Sequence, residues 1–315
     1  MDFARELGLD PNIVEKDYLL GWLLAGISSY PALKSDSIFK GGTCLKKCFF
    51  ETYRFSEDLD FTIKNPKHLN QEFLIDTFSE IARWIYDESG IEIPLDRLRF
   101  EVFKNNRGGL SAEGRVSYRG PMQRGGNPSR IKLDLTVDEI LVLDPVERAI
   151  HHPYSEKLDT GFRVTCYCFE EVFAEKIRAL AERLRPRDLY DVIHLFRHDD
   201  LMINREVLLD VLKKKCEFKG LSVPSMASLE NKPERIELEA EWGNMLAHQL
   251  PALPPFEQSW QELLDNNNGT TFNFKRHIGN DFLQSISTTM TVHDFLLVFK
   301  SLPHLSRVRD FNKLT

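Results

Sequence analysis

Two aspartates, Asp58 and Asp60, stand two apart in the run DLDFTI, which alternates polar and apolar residues. A strand sends alternate side chains to opposite faces. Leu59, Phe61 and Ile63 therefore share one face, and Asp58, Asp60 and Thr62 the other. Two carboxylates so close repel each other unless a cation lies between or beside them. Mg²⁺ favours carboxylate and phosphate oxygens, so this spacing points to a metal-bound phosphate ligand. The block before it, FKGGTCLKKCFFETYRFSE, strengthens that reading. Residues 37–39 read as a short strand and Gly41-Gly42 as a tight turn, with a helix over residues 43–50. Glycines allow backbone to approach a polyphosphate closely. A helix start offers unpaired N–H groups and the positive dipole end, and the Thr43 hydroxyl adds a donor.

A further carboxylate facing the first pair suits two-metal transfer chemistry. Asp134 is the candidate, because in residues 131–137 Ile131, Leu133, Leu135 and Val137 form one face and Lys132, Asp134 and Thr136 the other. Residues 98–119 read as strands around a glycine turn. Helices are expected at 11–28, 69–86, 170–184 and 188–196, with Arg185-Pro186 separating the last two. Lys176 follows Phe173 by three residues and borders the apolar face of its helix, where a lysine can meet a triphosphate. Asp188 is expected to cap the next helix. Asp191, one turn later, is expected to pair with Arg187 or Lys176. From about residue 201 the chain reads as mostly helical, with a linker-like stretch at 251–255 and a loop at Asn266-Asn267-Asn268-Gly269.

Composition sets the outer limits. No apolar run approaches the ~20 residues needed to cross a bilayer, and MDFARELGLD has no secretory character, so a cytoplasmic protein with no membrane association is expected. Five cysteines, an odd number in a long chain, argue against a disulfide framework. Cys44 and Cys48, four apart, have a spacing that zinc accepts, but Cys166 and Cys168 are too tight for an ordinary zinc pair, so Cys44, Cys48, Cys166, Cys168 and Cys216 are read as small buried residues. The net charge of −7 is not that of a protein that coats nucleic acid, although it leaves room for a basic partner. Yet Lys104, Arg107, Arg115, Arg119, Arg124, Arg130 and Lys132 outnumber Glu101, Glu113 and Asp134 locally. Their interleaved glycines fit either a solvated surface or contact with a polyphosphate or RNA backbone. His151-His152 and His198-Asp199 lack further histidines at metal-binding spacing and are read as exposed loop residues.

Gly-Gly-Thr followed by Asp-x-Asp on a strand resembles the signature of DNA polymerase β-like nucleotidyltransferases. More narrowly, the chain resembles the AbiEii/AbiGii toxin family, which includes the Men-type toxins. The likeness rests on VEKDYLL (14–20), KGGTCL and RFSEDLDF (within 40–61), IKLDLT (131–136), and EEVFAEKIRAL with RPRDLYDV (within 170–192). The resemblance implies an α+β fold: a polymerase β-like core with a short mixed sheet flanked by helices, over residues 1–164. A mainly helical domain with a tail would follow, over 165–315. It implies transfer of NMP from an NTP with Mg²⁺ or Mn²⁺ on Asp58, Asp60 and Asp134, and catalytic roles for Lys176 and Asp191. Gly41, Gly42, Thr43, Lys176 and Arg187 would hold the nucleotide. It also implies the toxin of a toxin–antitoxin or abortive-infection system, with a cognate antitoxin as partner and tRNA 3′ ends as acceptor. A protein or small-molecule hydroxyl as acceptor, and a non-catalytic nucleotide-binding regulator, are the alternatives.

Overall fold

A computed structural model describes residues 2–51, 53–122, 126–154, 162–198 and 204–265. The Asn266-to-Gly269 run, the tail beyond it, Arg124 and Asp199 lie outside the described residues.

After α1 (Asp2–Leu7), Asp10 caps α2 (Pro11–Ser29) by accepting from the Asn12 N–H, and Pro11 occupies the first turn. Every residue of α2 from Asp17 to Ser28 is buried, so this helix is a core element and not an amphipathic surface one. A short α3 (Pro31–Lys34) leads into β1 (Ser37–Lys40). The helix expected from Thr43 starts two residues earlier: α4 (Gly41–Cys44) opens with the two glycines and runs into a π-helical turn, Leu45–Phe49. The alternating run is β2 (Asp58–Ile63). Next comes α5 (Gln71–Ser89), capped by Asn70 and ended by Gly90 in the left-handed conformation.

Four of the remaining strands are β3 (Arg99–Lys104), β4 (Leu110–Tyr118), β5 (Ser129–Thr136) and β6 (Val146–Ala149), and β7 (Arg163–Cys166) is the last. Beyond them lie α6 (Phe169–Arg183), α7 (Pro186–Arg197), α8 (Arg205–Phe218), α9 (Met226–Glu230), α10 (Arg235–Leu246) and α11 (Phe256–Asp265). The seven strands form one mixed sheet in the order β3-β4-β5-β2-β1-β7-β6. β2 runs antiparallel to β1 but parallel to β5, and β1 runs parallel to β7. Helix α2 packs on α5 and β7, while α6 packs on α7 and α8, with α10 and α11 against α7. One apolar cluster extends from Tyr18 through Phe39, Phe61 and Leu133 to Phe173 and Leu263. Each large apolar side chain taken from water there contributes roughly 1.5–3 kcal/mol.

Two local expectations are corrected. Asp188 does not cap α7: Arg185 holds the cap position, and Asp188 sits buried in the first turn, clamped by Arg183 at 2.6 and 2.8 Å. His152 is not a solvated loop residue, since its ring packs 5.2 Å from Tyr18 and 4.8 Å from Tyr154. Among the described residues no helix is long and apolar enough to cross a membrane.

Candidate active site

The register of β2 and β5 sets Asp60 opposite Asp134 and Asp58 opposite Lys132. Register partners on neighbouring strands project to the same side about 5 Å apart. The three aspartates expected from the sequence therefore lie on one face of adjacent strands. The two on β2 are less acidic than an ordinary carboxyl. Desolvation raises the pKa of Asp60 to about 6, with Asp134 and Asp58 pushing the same way and Lys40 and Lys176 opposing. Burial also raises Asp58, against the pull of Lys16 and Arg187. Asp134 is more exposed and bonds Lys132 at 3.0 Å.

The glycine pair is required by what lies next to it. Gly41 has φ of 80°, and a Cβ there would sit 2.2 Å from Asp60 Oδ2. A Cβ on Gly42 would sit 2.7 Å from a guanidinium nitrogen of Arg54. Thr43 is fully buried, and its hydroxyl donates to the Asp58 carbonyl, so it ties the start of α4 to the start of β2.

Beside Asp60 opens a cleft of about 230 Å³, lined by Lys40, Gly41, Glu175, Lys176, Arg178 and Arg183 among others. Lys40 ends β1, where its ammonium meets Glu175 at 3.0 Å and Glu139 at 3.7 Å. Lys176 bonds Asp191 at 2.7 Å. Asp191 is wholly buried beneath it and also receives both ends of the Arg54 guanidinium, at 2.7 and 2.9 Å. Burial alone would raise the Asp191 carboxyl, but Arg54 and Lys176 hold it well below the usual range. Arg54 also reaches Gln249 at 2.9 Å, joining the stretch before β2 to the segment after α10. Of the two pairings expected for Asp191, the structure has the one with Lys176. Arg187 lies instead 3.9 Å from Glu57, on the Asp58 side.

On that side a second cleft, about 320 Å³, is lined by Lys16, Asp58, Glu113, Arg115, Arg130 and Lys132. Here the basic residues of β4 and β5 reach the aspartate cluster, joined by Lys16 from α2. Lys16 bonds Glu57 at 2.8 Å. Arg115 and Lys132 share Glu113, whereas Arg130 has no ion-pair partner among the described residues. The Asp pair thus stands between two clefts, each rich in cations.

Sequence reasoning missed Lys40, Arg54, Glu175 and Lys16 as parts of this arrangement. Lys40 carried a signal, since a lysine closing the apolar strand SIFK directly before two glycines is out of place in a core. Arg54 stood only as the first residue of the RFSEDLDF run, and nothing local pointed to its partner Asp191, which lies 137 residues away.

A family model described as nucleotidyl transferase AbiEii toxin, Type IV TA system, matches residues 22–266. In solved structures, the fold is similar to JHP933 from Helicobacter pylori, at 18% identity and a TM-score of 0.51 over 81% of this chain and 90% of that one. It is also similar to MenT4, a nucleotidyltransferase toxin from Mycobacterium tuberculosis H37Rv, at 16% identity and a TM-score of 0.53 over 89% and 90%. At such identities the likeness is one of fold, and it agrees with the mixed sheet flanked by helices and the helical C-terminal region. No curated protein matches the chain.

Proposed function

Because the chain belongs to the AbiEii nucleotidyl transferase toxin family, and so is a nucleotidyltransferase enzyme of a toxin–antitoxin system, we propose that it transfers NMP from an NTP to the 3′ end of a tRNA with the aid of a divalent cation. The observation that carries the reading is the β2–β5 register, which aligns Asp60 with Asp134 two residues from Asp58, on the same face. The donor set fits Mg²⁺ or Mn²⁺: three carboxylates, no soft ligand among them, and an Asp60 carboxyl raised toward 6 by burial, with Asp134 and Asp58 pushing the same way. Asp58, Asp60 and Asp134 would hold the cation, which when bound neutralises triphosphate charge and acidifies the attacking hydroxyl.

The rest falls to the chain's own residues. Lys40 and Lys176 line the cleft beside Asp60 and are suited to the β- and γ-phosphates. Gly41 and Gly42 let the backbone come close, Thr43 braces that turn, and Arg187 adds positive charge near Asp58. Asp191 acts through Lys176, setting where its ammonium points. The acceptor hydroxyl attacks the α-phosphate in line. A new O–P bond forms as the bond to pyrophosphate breaks, and the hydroxyl proton passes to a carboxylate of the cluster. Lys16, Arg115 and Arg130 in the second cleft are suited to backbone phosphates of the acceptor. A cognate antitoxin is the expected protein partner.

Label transfer tests the reading. The protein is incubated with Mg²⁺, each α-³²P NTP and total tRNA, beside Asp60→Ala. Label on tRNA with wild type alone supports it and names the base. Label on protein or a small molecule instead retains the chemistry and replaces the acceptor. No transfer to any acceptor, with NTP binding intact, favours a nucleotide-binding regulator.

A further inference from the structure

Three cysteines outside the aspartate site come together across the fold. Cys44 follows Thr43 in α4, Cys48 lies in the π-helical turn, and Cys166 ends β7, opposite Phe39 of β1. Their Sγ atoms all lie within 4.8 Å of one another. Cys44 and Cys166 are fully buried, Cys48 is half-buried, and none forms a disulfide.

We propose that Cys44, Cys48 and Cys166 form a three-thiolate site for a thiophilic divalent cation of the zinc and cadmium class. Distance supports this. A metal–sulfur bond of about 2.3 Å sets the sulfurs of a shared cation roughly 3.8–4.0 Å apart, a spacing these atoms reach by side-chain adjustment. Charge supports it too. Binding displaces three S–H protons, so the cation and three thiolates carry one net negative charge. Arg148 on β6 lies over the ring of Phe49, the residue after Cys48, 4.9 Å from its centroid, and places a positive charge near the cluster. With that guanidinium the assembly is close to neutral, which limits the cost of burying it.

Among the described residues no fourth Cys, His, Asp or Glu joins the three. A water or small exogenous ligand completes the tetrahedron from the side of half-buried Cys48. Soft thiolates select against Mg²⁺, so this site and the carboxylate cluster draw on different cations. The sequence spacing concealed the site, because the relevant partner of Cys44 and Cys48 is Cys166 alone and not the Cys166-x-Cys168 pair. When filled, the site would staple α4 and the π-helical turn to β7.

Full-length reduced, metal-free protein is titrated with Cd²⁺, following thiolate-to-cadmium absorption in the ultraviolet, proton release and metal content after desalting. The expected result is one tightly held Cd²⁺ per chain and about three protons released. Zn²⁺ should displace it and excess Mg²⁺ should not. Cys48→Ser and Cys166→Ser should lose the band while Cys216→Ser, outside the cluster, keeps it. Circular dichroism checks each fold, and Cys48→Ala at the half-buried position replaces any serine variant that fails to fold. No absorption band with wild type at equimolar Cd²⁺ overturns the proposal. So does a band unchanged in folded Cys48 and Cys166 variants.

Discussion

Asp60→Asn should make the metal-free protein more stable while abolishing its chemistry. Asp60 titrates near 6 in the folded chain, against an ordinary value of 3.8. A raised carboxyl pKa means that, between these values, the folded state binds the proton more tightly than the unfolded state does. The stabilising effect of the neutral form is therefore complete below about pH 3.8 and lost as the pH rises through 6. A shift of about two units corresponds to roughly 3 kcal/mol. Asp60 is half-buried, so screening by water reduces the effect to about 1–3 kcal/mol. Asn keeps the shape without the charge. Urea unfolding in EDTA should show the variant ahead by that amount at pH 8 and level with wild type near pH 4. Adding Mg²⁺ should stabilise wild type more than the variant and close the gap. Nucleotide transfer should fall by about a hundredfold or more. An Asn variant no more stable than wild type at pH 8 in EDTA would refute the claim that burial opposes the charge on Asp60.

Asp191→Asn should act the other way, costing about 3–5 kcal/mol in urea unfolding, because Arg54 and Lys176 would be left buried without their shared anion; a loss below about 1 kcal/mol would show that the network is not needed. Gly41→Ala should cost about 1–3 kcal/mol and impair transfer, since both the positive φ and the contact with Asp60 oppose a Cβ. Gly108→Ala, at the same φ of 80° with nothing within 4 Å, supplies the backbone cost alone, and equal losses would discount the Asp60 contact. Lys16→Ala with Arg130→Ala should raise the acceptor KM and flatten its salt dependence while leaving NTP affinity unchanged; an altered NTP affinity would place the nucleotide in the second cleft. EDTA should abolish transfer and Mg²⁺ or Mn²⁺ restore it, as read by label incorporation.

Elements written in local periodicity were legible in the chain. β2 matches the alternating run from Asp58 to Ile63 residue for residue, and β5 matches the run around Asp134 to within two residues. Both strands bury one face, and burial on one face is what imprints a period of two. The short strands β6 and β7 left no such imprint, being four residues each and joined to the sheet through β1. Helix α2 was legible from Pro11 and from Val14, Leu19, Trp22 and Leu23 near one face, but its burial all round was not, since that depends on what surrounds it.

The candidate site divides along the same line. The carboxylate pair, the glycine pair and Lys176 were visible as residues because a charge or a missing side chain in a patterned segment stands out locally. Their relations depend on pairings between distant segments. The parallel register of β2 with β5 sets Asp134 beside Asp60. Asp191 lies under Lys176 because Arg54, far away in the chain, supplies the second cation. The hydroxyl of Thr43, read from the sequence as a phosphate donor, is bonded to the Asp58 carbonyl because α4 folds back onto β2. A chain states its chemistry residue by residue, but distances and pKa values come from low-dielectric contacts between segments, and those exist only once the sheet has closed.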